Sequence, residues 1–324
     1  MRTGVTGAAG HIGYTLVRRL LAEGHEVRVF LREEQSLPEE VTLDIFRGDL
    51  LDAAAVRKFV EGLDAVIHAG ARIFVNGKKK WQYFRENIAT AENVLQAVKE
   101  EGCRYVYFSS IHAYDPFPRD EPLDERRPLV TNDRFLYSRS KARAQEAVMQ
   151  AAAEGLEALV VNPSAVIGRY DYKPSMLGKA ILLMAKNKMP ALIPGGYNWV
   201  DVRDVAEGTV NALEKGRPGE AYLLAGHWES LQGLYELVSE RMGRKKKLPV
   251  FPVWMARAGI PFMGLAAHIK GEEPLYTQES ITILQESNPH VSTDKASREL
   301  GYRPRPLQET VEDTLHWFRE RKYL

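Results

Sequence analysis

The sequence predicts a doubly wound α/β fold, in which a parallel sheet carries helices on both faces and a smaller C-terminal lobe is interleaved with it. Three observations predict this class. Short apolar segments alternate with amphipathic helical segments through the first half of the chain. A glycine-rich turn joins the first strand to the first helix. After Asn162, prolines punctuate shorter segments, which indicates a change of architecture.

The elements follow from these patterns in order. Strands are predicted at Arg2–Thr6, Glu26–Leu31, Thr42–Arg47, Ala65–His68, Arg104–Ser109, Ala158–Asn162 and Ala221–Ala225. Helices are predicted at Ile12–Ala22, Ala53–Glu61, Phe84–Glu100, Ser138–Glu154, Leu231–Met242 and Leu307–Arg321. Residues 1–168, joined by a strand and a helix from about 196–226, are predicted to form the sheet domain. Residues 169–195 and 227–324 are predicted to form the smaller lobe.

Composition excludes several classes of protein. The chain has 44 Lys and Arg against 43 Asp and Glu, so its net charge of +1 gives no global field for nucleic acid. Cys103 is the single cysteine, which excludes an internal disulfide and fits a reducing compartment. No apolar leader precedes the glycine-rich turn, so a cytoplasmic location is expected. The most apolar later stretch, 250–269, contains two prolines, an arginine and a histidine, and no membrane span is predicted.

The turn in "VTGAAGHIGYTLVRRLL" predicts a pyrophosphate site. Gly7, Gly10 and Gly13 lie between a strand and a helix, where glycine lets the backbone approach a phosphate and the helix offers free N–H groups. The neighbouring residues of the predicted site are Ala9, His11 and Ile12. A plain glycine-rich turn is the alternative.

Arg32 follows the second strand, where a dinucleotide would place its adenosine ribose. An arginine there pairs with the 2′-phosphate of NADP, so NADP(H) is favoured over NAD(H), although Glu33 and Glu34 follow directly. Asp49 ends the third strand and is placed to accept a hydrogen bond from adenine. A helix N-cap role for Asp49 or Asp52 is the alternative.

A tyrosine and a lysine lie four residues apart in "FLYSRSK". On a helix Tyr137 and Lys141 share a face, and a nearby cation lowers the pKa of a phenol, which would make Tyr137 a proton donor or acceptor. Ser109 and Ser110 end the fifth strand, at the sheet edge where such folds bind ligands. The Ser110 hydroxyl is placed to hold a substrate carbonyl oxygen beside the phenol.

Together, "TGAAGHIG", Asp49, "VIHAGA", "FSSIHAY", "YSRSK" and "NPSAVIG" resemble the extended short-chain dehydrogenase/reductase family, also called NAD-dependent epimerase/dehydratases, over nearly the whole chain. Within it, "NPSAVIG", "KPSMLGK" and "WVDVRDVAEG" most resemble dihydroflavonol 4-reductase-like proteins and bacterial hopanoid-associated sugar epimerases. The resemblance implies a Rossmann domain with a substrate lobe.

The resemblance also implies roles for individual residues. Tyr137 would be the general acid or base, Lys141 would lower its pKa and bind the nicotinamide ribose, and Ser110 would orient the substrate oxygen. The resemblance implies that the three glycines bind the pyrophosphate of the cofactor. It also implies cofactor contacts for Asp49, Leu50, Ala69, Gly70, Ala71, Asn87, Ser109 and Pro163. No metal is implied. Helices 84–100 and 138–154 would form a homodimer face by analogy.

Two enzymatic activities remain open. The first is NADPH-dependent reduction of a ketone or aldehyde of a small organic molecule, and the second is epimerisation of a nucleotide-sugar through transient oxidation by bound NAD. Dehydration of the sugar-nucleotide type is disfavoured because Ile111 and His112 replace the Asp-Glu pair that such dehydratases carry. His112 is a further candidate for substrate contact. A non-catalytic redox sensor is a third possibility.

Overall fold

The structure is a computed structural model of the 324-residue chain that describes residues 1–38, 43–72, 79–132, 135–189, 191–244, 247–260 and 277–324. Its strands are β1 Arg2–Thr6, β2 Glu26–Leu31, β3 Asp44–Arg47, β4 Ala65–His68, β5 Arg104–Phe108, β6 Ala158–Pro163, β7 Ala165–Ile167, β8 Gly196–Asp201, β9 Ala221–Leu224 and β10 His227–Ser230. Its helices are α1 His11–Ala22, α2 Ala53–Val60, α3 Lys80–Glu101, α4 Leu136–Ala153, α5 Met176–Ala185, α6 Val202–Lys215, α7 Leu231–Arg241, α8 residues 253–260, α9 Gln278–Glu286, α10 Asp294–Leu300 and α11 Leu307–Glu320.

Seven strands form the main sheet in the order β3-β2-β1-β4-β5-β6-β9, and every pairing in it is parallel. The strand order reverses between β1 and β4, which are neighbours in the sheet but are separated in sequence by β2 and β3. Such a switch point opens a crevice at the carboxyl edge of a parallel sheet. The predicted fold class is confirmed.

A second sheet of three strands, β10-β8-β7, lies outside the main one. β8 pairs with β7 in parallel and with β10 antiparallel. Of the range 196–226, β9 joins the main sheet and α6 packs against α1, whereas β8 belongs to this second sheet.

Two apolar layers cover the main sheet. One is built on α1 and α6, with Val5, Leu16 and Val205 fully buried, and the other on α2, α3 and α4, with Phe59, Val94 and Val160 fully buried. A third core joins α5, α7, α9 and α11 to the small sheet. No helix in the described ranges has both the length and the apolarity that crossing a membrane requires.

The predicted elements match observed ones except at their ends, whereas β7, β10, α5, α9 and α10 have no predicted counterpart. α3 begins at Lys80, four residues before the predicted start, and Trp81 packs edge-to-face on Phe84 at 5.8 Å between ring centroids. β3 begins at Asp44, and the predicted start at Thr42 lies outside the described residues. The same holds for residues 261–276 of the predicted smaller lobe.

Candidate active site

The glycine-rich turn folds back on the strand-end backbone at the switch point. Gly7 has φ +75, and a Cβ there would lie 2.7 Å from the Ala69 carbonyl carbon and the Gly70 nitrogen. A Cβ on Gly13 would lie 2.1 Å from the Gly7 carbonyl oxygen. The first and third glycines are therefore required by close backbone approach, and the turn brings Gly10 to the N-terminus of α1.

We expect Gly13→Ala to destabilise the fold by about 1–3 kcal/mol, since the added methyl group forces the turn away from α1. Affinity for a dinucleotide should fall at least about tenfold, because the displaced amides no longer converge on a phosphate. Thermal unfolding and nucleotide titration measure the two effects. Gly259→Ala is the matched control, since no atom of the described residues lies within 4 Å of its added Cβ. Equal behaviour of the two variants would contradict the assignment.

The neighbouring predicted residues occupy the same region. His11 is hydrogen-bonded through Nε2 to the Arg169 carbonyl at 2.7 Å, which ties α1 to the segment after β7. Ala9 and Ile12 are half-buried and pack on the core below the turn. These two therefore support the turn from beneath.

Side chains that the sequence did not single out fix the loop after β4. Thr6 Oγ1 is hydrogen-bonded to His68 Nδ1 at 2.7 Å and accepts from the Gly70 amide at 3.2 Å. The His68 ring stacks on Tyr107 with 5.9 Å between centroids. Burial, and then the charge of Lys141, lowers the pKa of His68 to about 3, so its imidazole is neutral. The "VIHAGA" motif marked this segment, but gave His68 no role.

Asn87 holds the next stretch of the same loop. Its amide accepts from the Arg72 nitrogen and donates to the Arg72 carbonyl, both at 2.9 Å. Asn93, one and a half turns later on α3, donates to the Leu50 carbonyl at 2.9 Å. Asn87 thus fixes the backbone next to exposed Ala71, and its contact with the cofactor stays a prediction. Leu50 lies close to Gly70, so the two residues can form the same wall of the predicted adenine site.

The predicted adenosine end lies at the edge of the sheet. Arg32 is exposed and its Nε lies 3.2 Å from Glu34 Oε1. Arg47 donates through Nη1 to the carbonyls of Arg32, Glu33 and Gln35, each at 3.0 Å, and so orders the loop that presents Arg32.

Asp49 and Asp52 are each considered as a helix N-cap, and Asp49 also as an adenine contact. Asp49 is exposed, and its Oδ1 accepts from the Leu51 amide at 3.0 Å in a local turn. Asp52 caps α2 by accepting from Ala54 and Ala55. The capping alternative therefore applies to Asp52, and adenine recognition by Asp49 stays a prediction.

The Ser110 hydroxyl is hydrogen-bonded to the phenol of Tyr137, a half-buried residue in the first turn of α4. Burial raises the pKa of Tyr137 from 10.0 to about 12, and the bond from Ser110 lowers it only in part. The expectation that Lys141 lowers the pKa of Tyr137 is therefore wrong for the free protein. Desolvation outweighs the cation, and Tyr137 is a protonated phenol at neutral pH.

Lys141 is 4% exposed and uses its amine inside the protein. Its Nζ donates to the Phe108 carbonyl at 2.7 Å and lies 5.1 Å from the centroid of the Tyr107 ring. Burial lowers the pKa of Lys141 from 10.5 to about 7. The amine is thus only partly charged near neutrality.

A buried amide network supports Ser110 from the side opposite the phenol. Asn162 donates through Nδ2 to the Ser110 carbonyl at 3.0 Å and to Gln145 Oε1 at 2.8 Å. Gln145 in turn donates to the Tyr114 hydroxyl at 2.9 Å. This network could not be found from sequence, because its members come from three separate elements.

A cavity of about 810 Å³ opens next to Ser138, the residue that follows Tyr137. A recess of about 30 Å³ reaches Tyr137 and shares His112, Phe135, Ser138 and Ile283 with it. The cavity wall comes from residues 111–132, 135–138 and 283–291, and is mainly apolar. Its ionisable lining residues within the described chain are His112, Tyr114, Asp115 and Glu286. Burial lowers the pKa of His112 to about 4, so the ring is neutral.

A sequence profile described as the NAD dependent epimerase/dehydratase family matches residues 4–225. The chain belongs to this family. Its members' cofactor chemistry and the Ser110–Tyr137–Lys141 geometry make it an NAD(P)-dependent enzyme of the extended short-chain dehydrogenase/reductase type.

Similar family members cover its whole length. Sterol demethylase protein B of Methylococcus capsulatus is 30% identical over 326 residues, 99% of each chain. A protein provisionally named dihydroflavonol 4-reductase, from Synechocystis sp., is 29% identical over 99% of this chain and 95% of its own. The crystal structure of gox2253 superposes with a TM-score of 0.86 at 32% identity, covering 99% of both chains.

The residues at the switch point fit a bound dinucleotide. The turn at Gly7 leaves no room for a side chain, and the Ser109 hydroxyl and Asn162 Oδ1 are buried with no hydrogen-bond partner among the described residues. Both lie at the carboxyl ends of β5 and β6, beside Lys141 and the buried end residue Pro163. Unsatisfied buried acceptors and donors in such a place indicate a polar ligand.

Proposed function

We propose that the enzyme reduces a ketone or aldehyde of a mainly apolar, uncharged organic compound with NADPH, and that Tyr137 is the proton donor. A bound nicotinamide cofactor supplies the hydride. Two side chains of the protein act on the substrate carbonyl oxygen. Ser110 donates a hydrogen bond to this oxygen, and the Tyr137 phenol gives it a proton as the alcohol forms. Lys141 donates a hydrogen bond to the Phe108 carbonyl and so stabilises the base of this site.

The lining of the large cavity carries the proposal. Nucleotide-sugar recognition needs cations that meet a diphosphate. The lining residues of the described chain include no Lys or Arg, and they do include two carboxylates, Asp115 and Glu286. The 30 Å³ recess adds Lys80 together with Glu279. Apolar side chains such as Leu123, Val130 and Ile283 cover most of the wall.

The raised pKa of Tyr137, about 12, keeps the phenol in the protonated form that can donate to a carbonyl oxygen. A reductase needs the phenol protonated before the chemical step, whereas an epimerase must first remove a proton from the sugar hydroxyl. The reductase name of the Synechocystis relative agrees with this choice.

Cofactor titration tests the proposal first. The purified protein should hold its nucleotide loosely and prefer NADPH over NADH by at least about tenfold, since Arg32 would pair with the 2′-phosphate. Arg32→Ala should remove most of this preference. Glu34→Gln is the control, because it removes the carboxylate 3.2 Å from Arg32 and should not weaken NADPH binding.

A screen of uncharged ketones and aldehydes with NADPH follows. Oxidation of NADPH by an apolar ketone, with matched alcohol formation, is the expected result. Tightly retained NAD without NADPH preference, and no turnover of any carbonyl compound, would replace the proposal with nucleotide-sugar epimerisation.

A further inference from the structure

The segment from Gly243 to Ile260 has a composition unlike the rest of the chain. It contains five Lys or Arg residues and no Asp or Glu, and it includes Phe251, Trp254 and Met255. The chain as a whole has nearly balanced charge, so this cationic and apolar combination is local.

Helix α8, within this segment, has an apolar side chain on both faces. Its inner face packs on the core of the C-terminal lobe through Val253, Ala256 and Ile260. Its outer face presents Trp254, which is 70% exposed, and Met255, which is 40% exposed. The outer face of a surface helix is ordinarily polar. An exposed tryptophan of this extent on such a face indicates a partner.

Two more exposed apolar side chains extend this surface. Val250 and Phe251 are 40% and 39% exposed and directly precede α8. We call Val250, Phe251, Trp254 and Met255 the apolar edge.

Lysines flank the apolar edge. The Phe251 amide donates to the Leu192 carbonyl at 2.9 Å, which places the chain that follows α5 beside residues 249–251. Arg244 donates to the Ala185 carbonyl and holds the same turn from the other side. Three lysines are exposed here: Lys186 and Lys188, which follow α5, and Lys247, which precedes residues 249–251.

We propose that the apolar edge docks on the surface of an anionic lipid bilayer, with Lys186, Lys188 and Lys247 meeting the headgroup phosphates. Tryptophan favours the membrane interface, and cations beside an exposed apolar face add attraction to anionic lipid. The absence of any acidic residue from Gly243 to Ile260 removes the repulsion that would oppose it.

Docking in this way places the substrate cavity near the bilayer. Arg257 of α8 contacts Thr282 of α9 at 3.4 Å, and α9 supplies Ile283 and Glu286 to the cavity wall. An apolar compound dissolved in the bilayer would then have a short path to the site. The docking itself rests on the apolar edge and the lysines, and is independent of the reaction proposed above.

Co-sedimentation of the full chain with vesicles tests the proposal. The vesicles are phosphatidylcholine alone, or phosphatidylcholine with phosphatidylglycerol, at about 0.1 M salt, where the Debye length is about 10 Å. We expect binding to the anionic vesicles only. Trp254→Ala and the double variant Lys186→Glu with Lys188→Glu should each lower the bound fraction at least about fivefold.

Trp228→Ala is the matched control, since Trp228 is 39% exposed in β10 and lies outside the apolar edge. It should bind like the wild type. All variants should keep the wild-type melting temperature and NADPH affinity, because none of these residues contacts the candidate active site.

Three results would overturn the proposal. The first is no binding to anionic vesicles, and the second is binding that Trp254→Ala leaves unchanged. The third is a concentration-dependent dimer that Trp254→Ala dissociates, with no vesicle binding, which would assign the apolar edge to a second copy of the chain.

Discussion

Replacing Tyr137 with phenylalanine is expected to lower kcat by a factor of about 10²–10⁴, the range that a positioned proton donor contributes. The variant keeps the ring, and with it the packing at the start of α4, and loses only the hydroxyl that Ser110 contacts. NADPH affinity should therefore stay within about twofold of the wild type. Steady-state kinetics with a carbonyl compound from the screen, together with cofactor titration, measures both quantities.

Tyr302→Phe is the control for this prediction. Tyr302 is buried and donates its hydroxyl to the Ala225 carbonyl at 3.0 Å, but it packs in the core built on α1 and α6 and is not among the described residues that line the cavity. Loss of that hydrogen bond should cost about 1 kcal/mol of stability and leave kcat unchanged. If Tyr137→Phe keeps kcat within tenfold of the wild type, Tyr137 is not the proton donor.

The main sheet was predictable from sequence because its signals are local. Most of its seven strands are short apolar runs bounded by turn residues, and the crossover helices have a 3.6-residue apolar period; β1 (RTGVT) and β3 (DIFR) are the exceptions. The small sheet was not predicted. β7 spans Ala165–Ile167 and β10 spans His227–Ser230, and runs this short carry no readable period. Their pairing with β8 is set by tertiary packing.

The contact between two of the predicted site residues could be expected from the sequence, but the electrostatics of the site could not. The Ser110 hydroxyl is hydrogen-bonded to Tyr137, and Lys141, one turn further along α4, donates to the Phe108 carbonyl. That the three residues act together in catalysis stays a prediction. The pKa of Tyr137 moved in the opposite direction to the prediction. A sequence shows that a cation is four residues away, but it does not show that both groups are desolvated. Burial then dominates and weakens the cation as well.

Lys141→Met is the second prediction, and it should abolish turnover while stabilising the fold at acid pH. The methionine matches the lysine stem in length and removes the amine that touches the Phe108 carbonyl. We expect kcat to fall by a factor of about 10²–10⁴, as for the phenol, because the amine's position beside the site is lost. At pH 6 the free energy of unfolding should rise by on the order of 1 kcal/mol, since a buried charge is removed.

The pH dependence of that gain distinguishes desolvation of Lys141 from a simple packing effect. In the wild type the pKa of Lys141 is about 7 in the fold and 10.5 when unfolded. Between these values the unfolded chain binds more protons, so wild-type stability rises with pH through this window. The excess stability of Lys141→Met should therefore be largest at pH 7 and below, and shrink toward pH 10. Denaturant unfolding at pH 6, 8 and 10 measures it. A constant difference across the three would mean that the Lys141 amine is solvated in the fold, and its burial against the Phe108 carbonyl would then be wrong.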